Sequence, residues 1–355
     1  MPCPECNQGW NGWWCKPCNS KHFQNDFNNW TSGNDKIGKF IQDEDAQLNA
    51  NYPNYVIEWI LYDRFKEFKQ IGKGGFGTVH YANSSIRFYG ITQDPETHSY
   101  VMVLGYAEDG NLREYLKINF NNINWQQKLS NLRKLSINLN NIHKLDIVHQ
   151  DFHPGNILSL DFKRFMFISD FGSKVLSGDE EYTKAADIYS FGIIAYEIVT
   201  GFPPYPDIPH DEDLAMKICN GLRPKIPFHT PKLITRIIMR CWDARVTNRP
   251  TFKELQDELR KYRNDYLKEG KNKDSEIVIQ IKKAEEFSAN QESTNTTTTT
   301  TPLNYQTHPQ AIYTSRLLNY SKLPKPKNEE NFERELEELT KSFYKINDND
   351  DIDEF

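Results

Sequence analysis

The strongest constraint on the fold is the stretch from residue 125 to residue 172, where a long apolar stripe leads into two short polar loops. Apolar residues recur there three or four positions apart, as Leu129, Leu132, Leu135, Leu139, Ile142 and Leu145. This is the spacing of one buried face of a helix. The loops "IVHQDFHPGNIL" and "FISDFG" each adjoin a short apolar run that is typical of a strand. The stretch therefore predicts a domain that mixes helices with strands.

The two loops carry three polar residues suited to a magnesium and phosphate site. Asp151 and Asn156 lie five residues apart on the first loop, and Asp170 follows fourteen residues after Asn156 on the second. Two carboxylates and an amide supply the oxygen ligands that Mg²⁺ prefers when phosphates complete its coordination. Neither packing nor turn chemistry explains this spacing on loops. We therefore take the three residues as candidate catalytic residues.

Upstream, "QIGKGGFGTVHYA" predicts a strand, a glycine turn and a returning strand. Gly72, Gly74 and Gly77 fit the pattern GxGxxGxV, in which missing Cβ atoms let backbone N–H groups approach a phosphate. Val79 would then pack over a nucleotide base. This pattern alone is a weak signal, and it gains weight only together with the downstream loops.

The ordered motifs resemble a protein kinase of the tyrosine-kinase-like group, similar to expanded fungal members in which a short cysteine leader precedes the kinase domain. "VHQDFHPGN" resembles the HRDxxxxN catalytic loop, and "DFG" stands as in the family. "ADIYSFGIIAYEIVTGFPPY" is similar to the central helix of the C-lobe, and "CWDARVTNRPTF" to the late arginine motif. The resemblance covers about Tyr62 to Lys261. It implies an α+β, bilobal protein-kinase-like fold with a truncated N-lobe sheet and a mainly helical C-lobe.

By this resemblance, Asp151 would accept or orient the proton of a substrate hydroxyl, while Asn156 and Asp170 would hold Mg²⁺. Leu104 falls at the gatekeeper position and Ala107 at the adenine-binding hinge. The residues expected to contact ATP are Ile71, Gly72, Lys73, Gly74, Gly75, Phe76, Gly77, Val79, Leu104, Ala107 and Leu158. Whether the substrate hydroxyl belongs to Ser/Thr or to Tyr stays open.

The first departure from the family follows the glycine loop. In the family, the next strand carries a lysine that holds the ATP phosphates, and the following helix carries a glutamate that holds the lysine. Here nine residues, 80–88, separate Val79 from "YGI", the apparent start of the next strand but one. A strand needs about five residues and a three-turn helix about eleven. Lys73 is the nearest substitute, but a lysine at that position usually projects into solvent. The with-no-lysine kinases place a replacement lysine at the last glycine of this loop. Residue 77 is glycine here, so that replacement is absent.

A second departure follows Gly172. Fourteen residues, 173–186, separate "DFG" from Asp187, where the family has an activation loop, a peptide-binding stretch and an APE motif. Arg249 would lose the glutamate that it normally pairs with, and an unpaired buried arginine is costly. Gln150 replaces the arginine that contacts a phosphorylated loop. We therefore expect the chain to bind ATP poorly and to transfer phosphate marginally, with folding of the N-lobe affected first.

Three classes of function remain open. The first is ATP-dependent phosphoryl transfer to protein hydroxyls, impaired in this chain. The second is a pseudokinase or scaffold that acts by binding proteins; a related explanation is a reading of the gene that skipped two coding segments of an ordinary kinase. The third, a small-molecule phosphotransferase, is suggested by "HPGN", whereas "DIYSFG" and "NRPTF" argue against it.

Four of the six cysteines lie within sixteen residues, as Cys3, Cys6, Cys15 and Cys18. Two CxxC turns in a reducing compartment favour a metal over disulfides, and four thiolates would close a tetrahedral structural Zn²⁺ site. The alternative is a set of thiols in a disordered leader.

The rest of the chain indicates the domain organisation. We expect a four-cysteine leader at 1–30, a linker at 31–58, a kinase-like domain at 59–268, a disordered low-complexity segment at 269–328, an amphipathic helix at 329–345 and an acidic tail at 346–355. The helix would bind a partner or the domain surface, or would be a solvated charged helix.

Charge and hydropathy limit the partners. The net charge of -6 gives no basic field for nucleic acid. The longest apolar-rich run, Phe191 to Val199, contains Glu197 and is far too short for a membrane span. The residues "MPCPEC" lack a signal-peptide pattern. We therefore expect a protein substrate or binding partner, no nucleic acid or membrane partner, and a location in the cytoplasm, with the nucleus as the alternative.

Overall fold

The computed structural model describes residues 2–8, 15, 17–18, 21–22, 25, 58–62, 70–73, 78–80, 88–104, 106–170, 183–268, 273–293, 307–314 and 323–347. The chain divides into two compact units, Met1–Glu108 and Asp109–Phe355. None of the helices within the described ranges is both long and apolar enough to cross a membrane.

The first unit contains short strands, which are β1 (Glu58–Trp59), β2 (Gln70–Lys73), β3 (Thr78–His80), β4 (Phe88–Gln93) and β5 (Tyr100–Leu104). Strands β4 and β5 pair antiparallel, and β1 adds to β4 in parallel to give the order β1-β4-β5. Strands β2 and β3 form a separate antiparallel pair in which Gly72 lies opposite Val79. This pairing agrees with the predicted strand and returning strand, whereas the predicted glycine turn at 74–77 lies outside the described residues.

The second unit is mainly helical. Its helices are α1 (Leu112–Asn119), α2 (Trp125–Lys144), α3 (Lys184–Thr200), α4 (Glu212–Cys219), α5 (Lys232–Cys241), α6 (Phe252–Leu267), α7 (Glu276–Ser293) and α8 (Phe332–Asn347). The two-residue strands β6 (Ile157–Leu158) and β7 (Phe167–Ile168) form an antiparallel hairpin. Helix α2 begins after Asn124, whose side chain accepts the N–H of Gln127, so the N-terminus is capped.

The predicted apolar stripe forms the centre of the core. Leu129, Leu132, Leu135 and Leu139 of α2 are all buried, with at most 1% of each side chain exposed. The prediction is wrong at Leu145, which is 71% exposed. Helix α2 ends at Lys144, so Leu145 is the capping residue and the helical period no longer points it toward the core.

Helices α3 and α5 pack closely at Gly192. A Cβ atom at this position would lie 2.7 Å from side-chain atoms of Cys241 and Trp242, both of which are buried. Such a separation is shorter than van der Waals contact, so the packing requires the missing side chain. A glycine in the middle of this helix is thus explained by the close approach of its neighbour.

The region predicted to be disordered, 269–328, contains the ordered helix α7. Its apolar residues Ile277, Val278, Ile281 and Ala284 are buried in the main core, with at most 4% exposed. The prediction of disorder is therefore wrong for 276–293, and the folded unit extends past residue 268. The polar residues on either side of α7 conceal an apolar face that becomes stable only by packing against the domain.

Beyond α7, the C-terminal region contacts the second unit at Asn328 and α8. The Asn328 side chain donates to the carboxylate of Asp243 (2.9 Å) and accepts the N–H of Ala244 (2.7 Å). Phe332 at the start of α8 is buried. Helix α8 lies against α5. An apolar face of α8 therefore packs on the domain that precedes it.

Candidate active site

A buried carboxylate at the start of α3 holds the loop that follows α2. Asp187 is 2% exposed and accepts the backbone N–H of His149 (2.9 Å) and of Gln150 (3.4 Å). The same carboxylate lies 2.8 Å from Nε2 of His143, near the end of α2. Two helices and the loop therefore meet at one side chain. Asp187 is not among the predicted site residues, although a carboxylate at the start of an apolar helix is a signal that the sequence contains.

The three candidate catalytic residues of this unit come together on the loops. The Asn156 side-chain amide donates to the backbone oxygen of Asp151 (2.9 Å) and to its carboxylate (3.2 Å). The same nitrogen lies 3.4 Å from the backbone oxygen of Asp170. Asn156 is buried, whereas the Asp170 side chain is exposed. Asn156 therefore links the side chain of Asp151 to the backbone of Asp170, and the three residues lie together on the two loops.

The β6–β7 hairpin brings the two loops side by side. Ile157 pairs with Ile168, and the N–H of Ser169 then donates to the carbonyl of Asn156 at 2.9 Å. Asp170, the next residue, has a φ of 55°, and Gln150 has a φ of 68°. Non-glycine residues rarely adopt this left-handed conformation, and such strain is concentrated at functional sites.

His149 links the first loop to the second. Its Nε2 lies 2.9 Å from the carbonyl of Ser169, and its Nδ1 accepts the N–H of Asp151 at 3.3 Å. One nitrogen therefore donates and the other accepts, which describes a neutral imidazole. Burial lowers the pKa of His149, which agrees with this protonation state.

His153 lies on the same loop as Asp151, close to the Asp151 carboxylate. Its Nδ1 accepts the N–H of Gly155 at 3.0 Å, and its Nε2 lies 3.7 Å from Asp151 Oδ1. Burial lowers the pKa of His153, although the neighbouring Asp151 carboxylate acts in the opposite direction. This imidazole belongs to the "HPGN" stretch but is not among the predicted site residues.

The loops of this site lie within residues that match a known family. The family described as "Protein tyrosine and serine/threonine kinase" matches residues 83–180 and 175–259. The chain belongs to the protein kinase family. The matched residues include the loops of Asp151, Asn156 and Asp170, and the protein kinase family uses ATP and Mg²⁺.

The names of the relatives include both serine/threonine and tyrosine kinases. The chain is 28% identical over 284 residues to "Probable serine/threonine-protein kinase roco5" of Dictyostelium discoideum, covering 58% of this chain and 10% of the relative. It is 30% identical over 207 residues to "Tyrosine-protein kinase SPK-1" of Girardia tigrina, covering 49% and 41%. It is 27% identical over 187 residues to "Ephrin type-A receptor 5" of Homo sapiens, covering 45% and 18%. The chain thus spans less than half the length of each of these kinases.

The predicted ATP-contacting residues of the kinase glycine loop are only partly described. Ile71, Gly72 and Lys73 lie in β2, and Val79 lies in β3. Residues 74–77, with Gly74, Gly75, Phe76 and Gly77, lie outside the described residues. Leu104 ends β5, and Ala107 is buried in the same unit. Leu158 belongs to β6 of the second unit and forms an isolated bridge with Asn111.

Arg249, expected to lack its kinase-family partner, donates its hydrogen bonds elsewhere. Its Nε donates to the carbonyl of Asp243 (2.7 Å) and its Nη1 to the carbonyl of Ala185 (2.8 Å). The guanidinium also lies 5.2 Å from the ring centroid of Tyr189. The expectation of an unpaired arginine is therefore wrong, because backbone carbonyls and an aromatic face stabilise the cation.

The four leader cysteines come together in the first unit. Cys3, Cys15 and Cys18 are buried, and the four sulfur atoms lie within 4.8 Å of one another. Sγ of Cys3 lies 3.8 Å from that of Cys18, and Sγ of Cys6 lies 3.4 Å from that of Cys15. The backbone N–H groups of Cys6 and Glu5 lower the pKa of the Cys3 thiol to about 7.

Proposed function

We propose that this chain is a protein kinase homologue with an assembled catalytic loop and a weakened nucleotide-binding half. Its reaction would be ATP-dependent phosphoryl transfer to a protein hydroxyl, at a rate well below that of a complete kinase. One observation carries the proposal: the Asn156 amide donates to the Asp151 carboxylate while it lies 3.4 Å from the backbone oxygen of Asp170. In protein kinases, the side chains of the corresponding asparagine and second-loop aspartate hold Mg²⁺, and the first-loop aspartate accepts the proton of the substrate hydroxyl.

Each of the three residues has a defined role in this proposal. Asp151 accepts the proton of the substrate hydroxyl. The hydroxyl oxygen forms a bond to the γ-phosphorus of ATP while the bond between the γ-phosphorus and the β–γ bridging oxygen breaks. Asn156 and Asp170 would hold Mg²⁺, which would neutralise the charge of the phosphates when bound. His149 and Asp187 act indirectly, by fixing the path of the loop.

Impaired phosphoryl transfer is supported by the lengths of the matches to the family and to a relative, and by the two short intervals at 80–88 and 173–186. The first family segment begins at residue 83, directly after the glycine hairpin, and the two segments overlap at 175–180. The alignment to the Dictyostelium kinase extends over 284 residues although it uses only 58% of this 355-residue chain. Part of the relative's aligned stretch therefore has no counterpart here. Loss of one preorganised charge partner alone costs about 10²- to 10³-fold in rate.

Addition of Mg-ATP is expected to leave the melting temperature of the chain unchanged in a thermal-shift titration. A ligand below its Kd contributes little, whereas a 100-fold excess over Kd stabilises by about 2.7 kcal/mol, which raises Tm by several degrees. A titration with Mg²⁺ alone is the control for metal effects. A rise of several degrees with Mg-ATP but not with Mg²⁺ would contradict weak nucleotide binding.

The alternative is a pseudokinase that acts as a scaffold for protein partners. The continuous core of the second unit, from α2 to α7, supports it, because a binding surface needs only a stable fold. Sequencing the transcript across 82/83 and 172/173 separates this alternative from a reading that skipped two coding segments. A transcript that contains a lysine strand and an APE segment would rule out the pseudokinase.

We also propose that the leader binds one structural Zn²⁺ through Cys3, Cys6, Cys15 and Cys18. Four sulfurs at about 2.3 Å from one tetrahedral ion lie about 3.8 Å apart, close to the separations between these thiols. All four ligand positions would be protein thiolates, so the site has no place for a substrate. Its contribution would be to the folding of the leader.

Metal analysis of the purified chain is expected to find about one Zn²⁺ per molecule, the number that a single four-thiolate site holds. The double substitution Cys3→Ser with Cys15→Ser removes half of the ligands and should abolish the bound metal. Cys219→Ser is the matched control, since Cys219 lies outside the cluster. Unchanged zinc content in the double variant would refute the site.

A further inference from the structure

Residues 307–314, which we call the strap, lie on the surface of the second unit near the start of α4. The N–H of His308 donates to the carbonyl of Pro206 (2.7 Å), and the carbonyl of Gln310 accepts the N–H of His210 (3.0 Å). Nδ1 of His210 lies 2.9 Å from the carbonyl of Ile312. These contacts use the strap's backbone, so the surface binds a short peptide along its length.

One side chain of the strap is recognised on several sides. The hydroxyl of Tyr313 donates to the carbonyl of Pro204 at 2.9 Å, and the ring packs edge-on against His210 with centroids 4.7 Å apart. The Arg113 guanidinium lies 4.8 Å from the centroid of the same ring, and its Nη1 donates to the carbonyl of Tyr313 at 3.0 Å. Both the aromatic face and the hydroxyl are used, which favours tyrosine over other residues.

The arginine that contacts Tyr313 is held in place by the domain itself. Arg113 makes two hydrogen bonds to the Glu197 carboxylate, at 2.9 and 3.1 Å, and the Glu197 side chain is 2% exposed. A guanidinium held by two parallel bonds keeps its orientation whether or not a peptide is present. The surface is therefore preorganised for its occupant, which lowers the entropic cost of binding.

The strap also borders the catalytic loop. A cleft of about 420 Å³ lies between them, and its lining includes Asp151, His153, Ile193, Leu214, Tyr313 and Thr314. A peptide that fills this cleft beside Asp151 would contact Tyr313 and Thr314 of the strap. The apolar residues from α3 and α4 give the cleft a surface on which aliphatic side chains can pack.

We propose that this surface is a peptide-binding site for a short segment that carries a tyrosine, and that the strap is its intramolecular occupant. The strap supplies "AIYT", with Ile312 before Tyr313. A segment of a second protein with the same chemistry would bind only when the strap leaves. The strap therefore competes with such a segment for the cleft beside the catalytic loop.

The tethered strap is expected to compete with an added peptide for the same surface. A tethered segment is present at an effective concentration that reaches the millimolar range for short flexible linkers. The apparent Kd of an added peptide then equals its intrinsic Kd divided by the fraction of molecules with an empty site. A strap that occupies the site in nine molecules out of ten therefore weakens an added peptide about tenfold.

The test measures binding of a fluorescent peptide, THPQAIYT, to the full-length chain by polarisation. Binding to Tyr313→Ala should be about tenfold tighter than to the unsubstituted chain, because its strap is released. Tyr313→Phe is the matched variant: it retains the ring beside Arg113 but loses the bond to Pro204, so its Kd should fall between the two. The peptide THPQAIAT should bind neither chain. The assay contains no nucleotide, so its result is independent of whether the chain transfers phosphate.

Hydrogen exchange gives a second measurement that does not depend on the variants. In the unsubstituted chain, the amides of His308 and His210 should exchange slowly, because each donates to a carbonyl across the contact. Free exchange at both amides would overturn the proposal. The proposal would also be overturned if the peptide THPQAIYT bound the unsubstituted and Tyr313→Ala chains with equal affinity or bound neither chain. Binding of THPQAIAT as tight as that of THPQAIYT would overturn it as well.

Discussion

Replacing Asp187 with alanine is expected to lower the free energy of unfolding by about 3 to 5 kcal/mol, the cost of breaking a buried charged contact. The 2%-exposed carboxylate accepts two backbone N–H groups of the catalytic loop and contacts His143 on α2. Without it, these donors remain buried without an acceptor, and each such donor costs about 1 to 3 kcal/mol. Urea unfolding followed by far-UV circular dichroism measures the loss.

Two comparisons make this prediction specific. Asp187→Asn retains one acceptor oxygen and should lie between alanine and the unsubstituted chain. Asp207→Ala removes an exposed carboxylate and should change the stability by less than about 0.5 kcal/mol. The amides of His149 and Gln150 should also exchange faster in Asp187→Ala than in Asp207→Ala. Equal stability of the two alanine variants would show that the carboxylate does not hold the loop.

The second large effect is expected for Arg113→Ala, which leaves the buried Glu197 carboxylate without its partner. Breaking such a pair costs about 3 to 5 kcal/mol, because an uncompensated charge stays inside the protein. Burial raises the pKa of Glu197, whereas the charge and hydrogen bonds of Arg113 lower it. Removing Arg113 should therefore raise the folded-state pKa of Glu197 further above its ordinary value of 4.5.

This shift makes the destabilisation of Arg113→Ala depend on pH. A carboxyl group with a raised folded-state pKa favours folding below its ordinary pKa, and this stability is lost as the pH rises through the folded-state value. The loss should therefore be largest near neutral pH and should shrink as the pH falls toward 4.5 and Glu197 is protonated. Unfolding measured at several pH values tests the trend. A loss that is constant across pH would mean that Glu197 is not the cause.

A double substitution separates the charge from the packing. Arg113→Leu with Glu197→Leu removes both charges together, and replacing a buried ion pair by apolar residues is often neutral or stabilising. The double variant should thus be more stable than Arg113→Ala at neutral pH. Greater destabilisation of the double variant would instead assign the contribution to side-chain packing.

The local pattern of the sequence was sufficient to predict the buried face of α2 and the two loops that carry the candidate catalytic residues. The spacing of Leu129, Leu132, Leu135 and Leu139 requires only the helical period, and all four residues are buried. Asp151 and Asn156 are five residues apart, and a short hairpin brings Asp170 next to them. Contacts of this kind depend on neighbours close in the chain, so residue spacing predicts them.

The partners of the buried charges could be found only in the folded chain. Arg113 meets Glu197 across 84 positions of sequence, and Asp187 meets His149 across 38. Arg249 donates to the carbonyl of Ala185, an acceptor present in every residue and therefore invisible as a pattern. Spacing cannot predict such contacts, because helix packing, and not chain distance, selects the partner.

In the C-terminal half, the order of whole segments also depends on long-range contacts that the sequence pattern does not predict. Its polar, threonine-rich composition predicted disorder, and nothing local identified an apolar face at Ile277 and Ile281 or a docking position for Tyr313. These residues become ordered because α6, Arg113 and His210 offer surfaces to bury or hold them. The sequence by itself thus indicated the family and the candidate catalytic loops, whereas long-range packing determined which of the remaining segments fold. Burial against a distant surface supplies the stabilising free energy that the composition of these segments lacks.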